Sequence, residues 1–111
     1  MTGAYDRARL VELFGSDAAT IAAVEQEFLD TARDVAREID ETSDLDIIAR
    51  AAHRLKGASG MIGAVPLHGL AQQVERAAKA QDLTTVRRLW EPLQHEVMRV
   101  AEQAGLPTEQ T

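Results

Sequence analysis

Ala51-Ala52-His53-Arg54-Leu55-Lys56-Gly57-Ala58-Ser59-Gly60-Met61-Ile62-Gly63 is an apolar-periodic run with a histidine, a lysine and two glycines set into it. Residues three and four apart share one face of a helix. His53, Lys56, Gly57 and Gly60 therefore lie together, and Ile48, Ala51, Ala52, Leu55, Ser59 and Ile62 form a separate apolar stripe. At 3.6 residues per turn His53 sits roughly 150° from the centre of that stripe, so it faces solvent. A glycine inside a helix costs about 1 kcal/mol relative to alanine. Two of them call for a purpose other than helix stability. They keep the surface beside His53 low enough for another macromolecule to reach the imidazole.

The helix holding this run is the third of five, from about Leu45 to Ile62, with Asp44 as its N-cap. Before it, the pattern predicts a short helix from Asp6 to Phe14, with Leu10, Leu13 and Phe14 inward. Gly15-Ser16 ends that helix, and Ser16 or Asp17 caps a long second one reaching about Thr42. Its inward stripe is Ile21, Val24, Phe28, Ala32, Val35 and Ile39, in steps of three and four. Gly63 suits the position just past a helix, and Pro66 suits the first turn of the next. The fourth helix carries Leu67, Leu70, Ala71, Val74 and Ala78 inward. Asp82 caps a fifth, with Val86, Leu89, Leu93, Val97, Val100 and Ala104 inward. Pro92 falls within this stripe without breaking its phase, which predicts one bent helix. Gly105-Leu106-Pro107 ends it.

Four long amphipathic helices with short connections make an all-α protein, an antiparallel four-helix bundle with a short additional N-terminal helix. The 111 residues form a single domain, with 1–5 and 106–111 as loose ends. Folding the third and fourth helices about residue 64 places residues whose numbers sum to about 128 level with each other. His53 then faces Glu75, and Lys56 faces Gln72.

Composition narrows the function classes. There is no cysteine, hence no disulfide or thiolate metal site, and a cytoplasmic setting fits. No basic-then-apolar leader is visible at the N-terminus, and no apolar run approaches the roughly 20 residues that span a bilayer. A net charge of −6 argues against nucleic acid as partner. The charge is uneven. Residues 1–49 hold 4 basic and 12 acidic side chains, a net of −8, and residues 80–111 hold 3 and 5, a net of −2. Residues 50–79 hold Arg50, Arg54, Lys56, Arg76 and Lys79 against Glu75 alone, a net of +4. The basic neighbourhood surrounds His53 and favours an anion or an acidic partner surface.

A neutral imidazole is a nucleophile near neutral pH and can take a phosphoryl group on one ring nitrogen. A carboxylate such as Glu75 can hold the proton on the other nitrogen and set the tautomer. Lys56, one turn on, offsets phosphoryl charge. Small residues at 49, 57 and 60 leave room for a partner's donor or acceptor. Phosphoryl transfer asks mainly for positioning and electrostatic stabilisation, so a sparse site suffices. The chain has no G-x-x-x-x-G-K-[ST] and no kinase-type glycine loop, so an ATP site of its own is not expected.

His53-Arg54-Leu55-Lys56-Gly57-Ala58-Ser59-Gly60-Met61-Ile62-Gly63 resembles the H-x-[LI]-K-G-[SA]-[SA]-x-x-x-G signature of histidine-containing phosphotransfer (HPt) domains. The resemblance implies a phosphoryl carrier rather than an autonomous enzyme. His53 would accept the group and exchange it with the aspartate of a response-regulator receiver domain or a hybrid sensor kinase. Lys56 would steady the phosphoryl group, and Gly57 would admit the receiver. Glu75 stands where related domains of chemotaxis-type kinases place a glutamate, and many relay-type domains carry glutamine there. Gln72 joins the site one turn earlier. Ala49, Arg50, Arg54, Gly57 and Gly60 would line the partner-facing surface. No cofactor is expected, with Mg²⁺ on the receiver only, and the expected state is a monomer without nucleic-acid or membrane partners. A free-standing protein and a domain of a larger kinase remain equally open.

The competing reading is a non-catalytic helical adaptor that binds a partner through the 46–60 face, with His53 incidental. A metal site from His53, His68 and His95 is a weaker third, because no two share a ligand-type i, i+3 or i, i+4 spacing. Trp90 reads as a partly buried packing residue.

Overall fold

The structure, a computed structural model, describes residues 3–107. Its helices are α1 (Arg7–Phe14), α2 (Ala18–Glu41), α3 (Leu45–Met61), α4 (Val65–Lys79) and α5 (Leu83–Ala104). Helices α2 to α5 close a four-membered ring: α3 packs on α2 and α4, α5 packs on α4 and α2, and α1 leans on α2. Neighbours run antiparallel. Arg87 Nη1 donates to Ile39 O at 2.5 Å, and Trp90 Nε1 donates to Ala36 O at 2.9 Å. Arg33 reaches Pro107 O, so residue numbers fall along α2 as they rise along α5. Among the described residues no helix is long and apolar enough to cross a membrane.

Four helices begin on an aspartate whose carboxylate accepts a first-turn N–H: Asp6 from Arg9, Asp17 from Thr20, Asp44 from Asp46 and Ile47, and Asp82 from Thr85. Each satisfies donors that the helix itself leaves open. The Thr85 hydroxyl and N–H hold the Asp82 carboxyl below its ordinary pKa. Helix α4 has no side-chain cap but carries Pro66 in its first turn, where a missing N–H costs nothing. Pro92 sits inside an unbroken α5. Gly63 ends α3 with φ +69, and a Cβ there would meet Asp6 Cβ at 2.8 Å. Both the left-handed backbone and the close approach of the N-terminal segment require glycine.

The core follows the stripes, with Ile21, Phe28, Ala32, Val35, Ile39, Ile48, Ala51, Ala52, Leu55, Ile62, Leu67, Ala71, Val74, Val86, Leu93, Val97 and Val100 buried. Leu29, Ala36 and Ala101 widen it, and Val24, Leu70, Leu89 and Ala104 sit half-buried at its edge.

Two expectations are corrected. In α1 only Leu10 is buried, while Leu13 and Phe14 are 52% and 39% exposed. Helix α1 is short and lies at the margin of the bundle against α2, so a single residue of it reaches the core. Residues 3–5 are not a loose end either. Ala4 and Tyr5 are buried, and Gln103 ties them to α5 by accepting from Ala4 N–H at 2.6 Å and donating to Tyr5 O at 2.9 Å. The Tyr5 hydroxyl donates to buried Glu25, with Arg7 Nε 3.9 Å from that carboxylate. Burial, then the Glu25 hydrogen bond, raises the Tyr5 pKa well above the ordinary phenol value. At the other end Leu106 is half-buried, its N–H on Ala101 O at 2.9 Å. The loose ends expected at 1–2 and 108–111 lie outside the described residues.

Candidate functional site

The α3/α4 seam brings the predicted groups together. His53 leaves α3 toward solvent with a side chain 68% exposed, and its Nδ1 lies 3.0 Å from Glu75 Oε2 on α4. Glu75 is its opposite in burial, with a side chain only 6% exposed. A buried carboxylate is stable only if its lone pairs are taken up, and here three donors converge. Lys56 Nζ lies 3.0 Å from Oε1, and Lys79 Nζ lies 3.0 Å from Oε2. Burial alone would push the Glu75 pKa up. The hydrogen bonds from Lys56, Lys79 and His53 outweigh it and bring the carboxyl down to about 2. Glu75 is therefore an anion at any physiological pH.

That charge state decides the imidazole tautomer. An ionised carboxylate only accepts, so a neutral His53 carries its proton on Nδ1 and its free lone pair on Nε2. The tautomer follows from the hydrogen-bond pattern.

The level pairing about residue 64 brings His53 to Glu75, while the Lys56 ammonium, expected opposite Gln72, bonds the same carboxylate. Lys56 reaches past Gln72 to the Glu75 carboxylate, because a buried anion outcompetes a neutral amide. Gln72 is half-buried one turn earlier on α4 and bonds neither His53 nor Lys56. Lys56 is 27% exposed, its ammonium committed to Glu75.

Ala49 and Arg50 join His53, Glu75 and Lys79 around a shallow groove of about 450 Å³. Arg54 is turned the other way, with Nη2 2.7 Å from Glu38 on α2. The two glycines differ. A Cβ on Gly57 would meet nothing within 4 Å, whereas one on Gly60 would lie 3.4 Å from His68 Cδ2. Gly57 is open floor beside the histidine, and Gly60 is partly filled from α4. Farther along α3, Ala58 and Met61 form a second groove of about 280 Å³ with Phe14, Val24 and Phe28.

The site residue that sequence reasoning passed over is Lys79, which appeared only as part of the local charge. Its signal was the Glu75–Lys79 spacing of i, i+4 in the favourable order. That pair reads as a surface pair until Glu75 is known to be buried. His68 and His95 stay apart from His53, His68 against Gly60 and His95 exposed on α5. Among the described residues no group of three or more His, Cys, Asp or Glu side chains is arranged to hold a metal ion. Trp90 is half-buried, with its indole N–H satisfied by Ala36 O.

Compared with known families, the chain is matched by the family model for the Hpt domain over residues 9–103, from α1 to the last turn of α5. No curated protein and no solved structure matches it.

Proposed function

This chain belongs to the Hpt domain family, and we propose that it carries phosphoryl groups in a two-component phosphorelay, on Nε2 of His53. The observation that carries the reading is the pairing of an exposed imidazole with a buried, ionised carboxylate through Nδ1. The lone pair of Nε2 attacks the phosphorus of an aspartyl phosphate on a receiver domain. The Nε2–P bond forms as the P–O bond to the aspartate breaks, and the receiver's carboxylate leaves. The ring keeps its Nδ1 proton and becomes cationic. Glu75 stabilises that developing charge where water is largely excluded, and it need not reorganise to do so. The reverse step returns the phosphoryl group to an aspartate.

Lys56 and Lys79 add positive charge around the transferring group. Gly57 leaves a floor low enough for a receiver, and Arg50 offers it a cation. The Ala58–Met61 groove adds apolar surface on the same helix. Gln72 and Gly60 serve as framing residues around this surface, while Arg54 is held to Glu38 on the α2 side. The chain acts as a cytoplasmic, monomeric co-substrate without an ATP site or a cofactor, and Mg²⁺ belongs to the receiver's aspartate pocket.

The test is incubation with a receiver domain charged by acetyl phosphate. Acid-labile, base-stable phosphate is expected on the wild-type chain and none on His53→Gln. Equal uptake by His53→Gln would overturn the reading. Receiver binding without uptake would leave a helical adaptor.

A further inference from the structure

Glu75 has two oxygens and three donors, and the step just described uses the third, Lys79, only for its positive charge. Oε2 is shared by His53 Nδ1 and Lys79 Nζ, each at 3.0 Å, while Lys56 holds Oε1 at the same distance. The two ammonium groups grip opposite ends of one carboxylate. Rotating that carboxylate exchanges its oxygens and breaks both grips at once, so the pair fixes the plane in which Oε2 meets the imidazole. One lysine alone leaves the rotation much freer.

The lysines are not equivalent. Lys56 lies on the histidine's own helix and is 27% exposed. Lys79 lies on Glu75's helix, is 67% exposed, and stands in the last turn of α4. A cation is favoured there by the helix dipole, and a glutamate four residues earlier is the better order for an ion pair. Lys79 also lines the groove with His53, Ala49 and Arg50, and its ammonium meets the imidazole at the shared oxygen Oε2.

We propose that Lys79 is a positioning residue for the phosphoryl-accepting histidine: by holding Glu75 Oε2 it aims that oxygen at Nδ1 and keeps Nε2 unprotonated and ready. The role rests on the phosphotransfer reading for its purpose but not for its first measurement. The tautomer of His53 is read from long-range ¹H–¹⁵N spectra of the unphosphorylated protein, with no partner present. Wild type gives predominantly the Nδ1–H form. Lys79→Met gives a mixture of tautomers with an unchanged helical circular dichroism spectrum, and Lys79→Arg restores the wild-type pattern.

The second measurement uses phosphoramidate as a small phosphoryl donor. Its P–N bond breaks, ammonia leaves, and the phosphoryl group passes to the ring. Lys79→Met reaches the same final stoichiometry on His53, with the rate lowered about threefold to tenfold. Lys79→Arg recovers most of it. An unchanged tautomer ratio in Lys79→Met overturns the proposal, as does an unchanged rate. If no phosphoryl group enters the wild-type protein from phosphoramidate or from a charged receiver, the phosphotransfer reading fails instead, and the tautomer ratio still decides what Lys79 does to His53.

Discussion

His53 and Glu75 meet across the α3/α4 seam with Nδ1 3.0 Å from Oε2, one side chain largely in solvent and the other almost wholly inside. This single contact separates the two ring nitrogens. Nδ1 is committed to an anion, and Nε2 is free to react. The phosphorylated protein is therefore expected to carry its phosphoryl group on Nε2, which ³¹P NMR distinguishes from the Nδ1 isomer by chemical shift. A predominance of the Nδ1 isomer would contradict the geometry. Glu75→Gln keeps the shape but loses the charge that offsets the cationic ring. Its rate of phosphoryl uptake is expected to fall on the order of tenfold or more, read in a time course with a charged receiver.

The same carboxylate makes stability depend on acid. The Glu75 pKa is about 2 in the fold, against an ordinary value of 4.5. A depressed carboxyl pKa stabilises the fold fully above the unfolded value, and that contribution drains away as pH falls toward the folded one. With the exposure of Lys79 discounted, it is worth about 2 kcal/mol. Urea unfolding of wild type and Glu75→Gln is expected to show a gap in midpoint at pH 6 that narrows between pH 4.5 and pH 2. A gap of constant size across that window would mean that Glu75 has no depressed pKa.

How far these features were legible before the fold was known differs from residue to residue. His53 and Glu75 could be paired because helix phase and a short connection are both encoded locally, and together they set the α3/α4 register. Lys56 was placed on the right face and level with Gln72, but its bond to Glu75 was not legible, since a register argument weighs distance along the helix and not the pull of a buried charge. Lys79 and Glu25 were hidden for one reason. A charged residue in a helix reads as solvated, and only tertiary packing shows which carboxylates are enclosed. Leu13 and Phe14 failed in the opposite sense. Their spacing marks an apolar face, but nothing in an eight-residue helix says that it lies at the bundle's margin, where that face is only partly covered. Tyr5 lies before the first periodic segment, and its burial depends on Glu25 and Gln103 at distant points in the chain.

Gly57 and Gly60 separate access from packing. A methyl on Gly57 enters open space, so Gly57→Ala is expected to stabilise the protein by about 0.5–1 kcal/mol through helix propensity. A methyl on Gly60 presses on the His68 ring at 3.4 Å, so Gly60→Ala should gain less. Gly57→Gln should keep the fold and slow transfer from a receiver several-fold, because it raises the floor beside His53. Thermal melts and transfer time courses check both. A destabilised Gly57→Ala would mean that the glycine serves the fold, and unchanged transfer by Gly57→Gln would remove the access argument.

Ser59 lies on the core side of α3, fully buried, and its hydroxyl has no hydrogen-bond partner among the described residues. Leaving a buried hydroxyl unpaired costs about 1–3 kcal/mol relative to a satisfied one. Alanine removes the polar atom, changes the volume little and has the higher helix propensity. Ser59→Ala is therefore expected to stabilise the protein by about 1 kcal/mol, a rise of several degrees in Tm. Phosphoryl uptake should not change, since Ser59 points away from the face that carries His53. Ser59→Val tests the packing from the other direction. Two extra methyl groups between α3 and its neighbours force a rearrangement costing about 1–3 kcal/mol. If Ser59→Ala instead lowers stability, the hydroxyl must be satisfied in solution, by a water reaching between the helices. The region behind the histidine would then be wetter than its burial indicates.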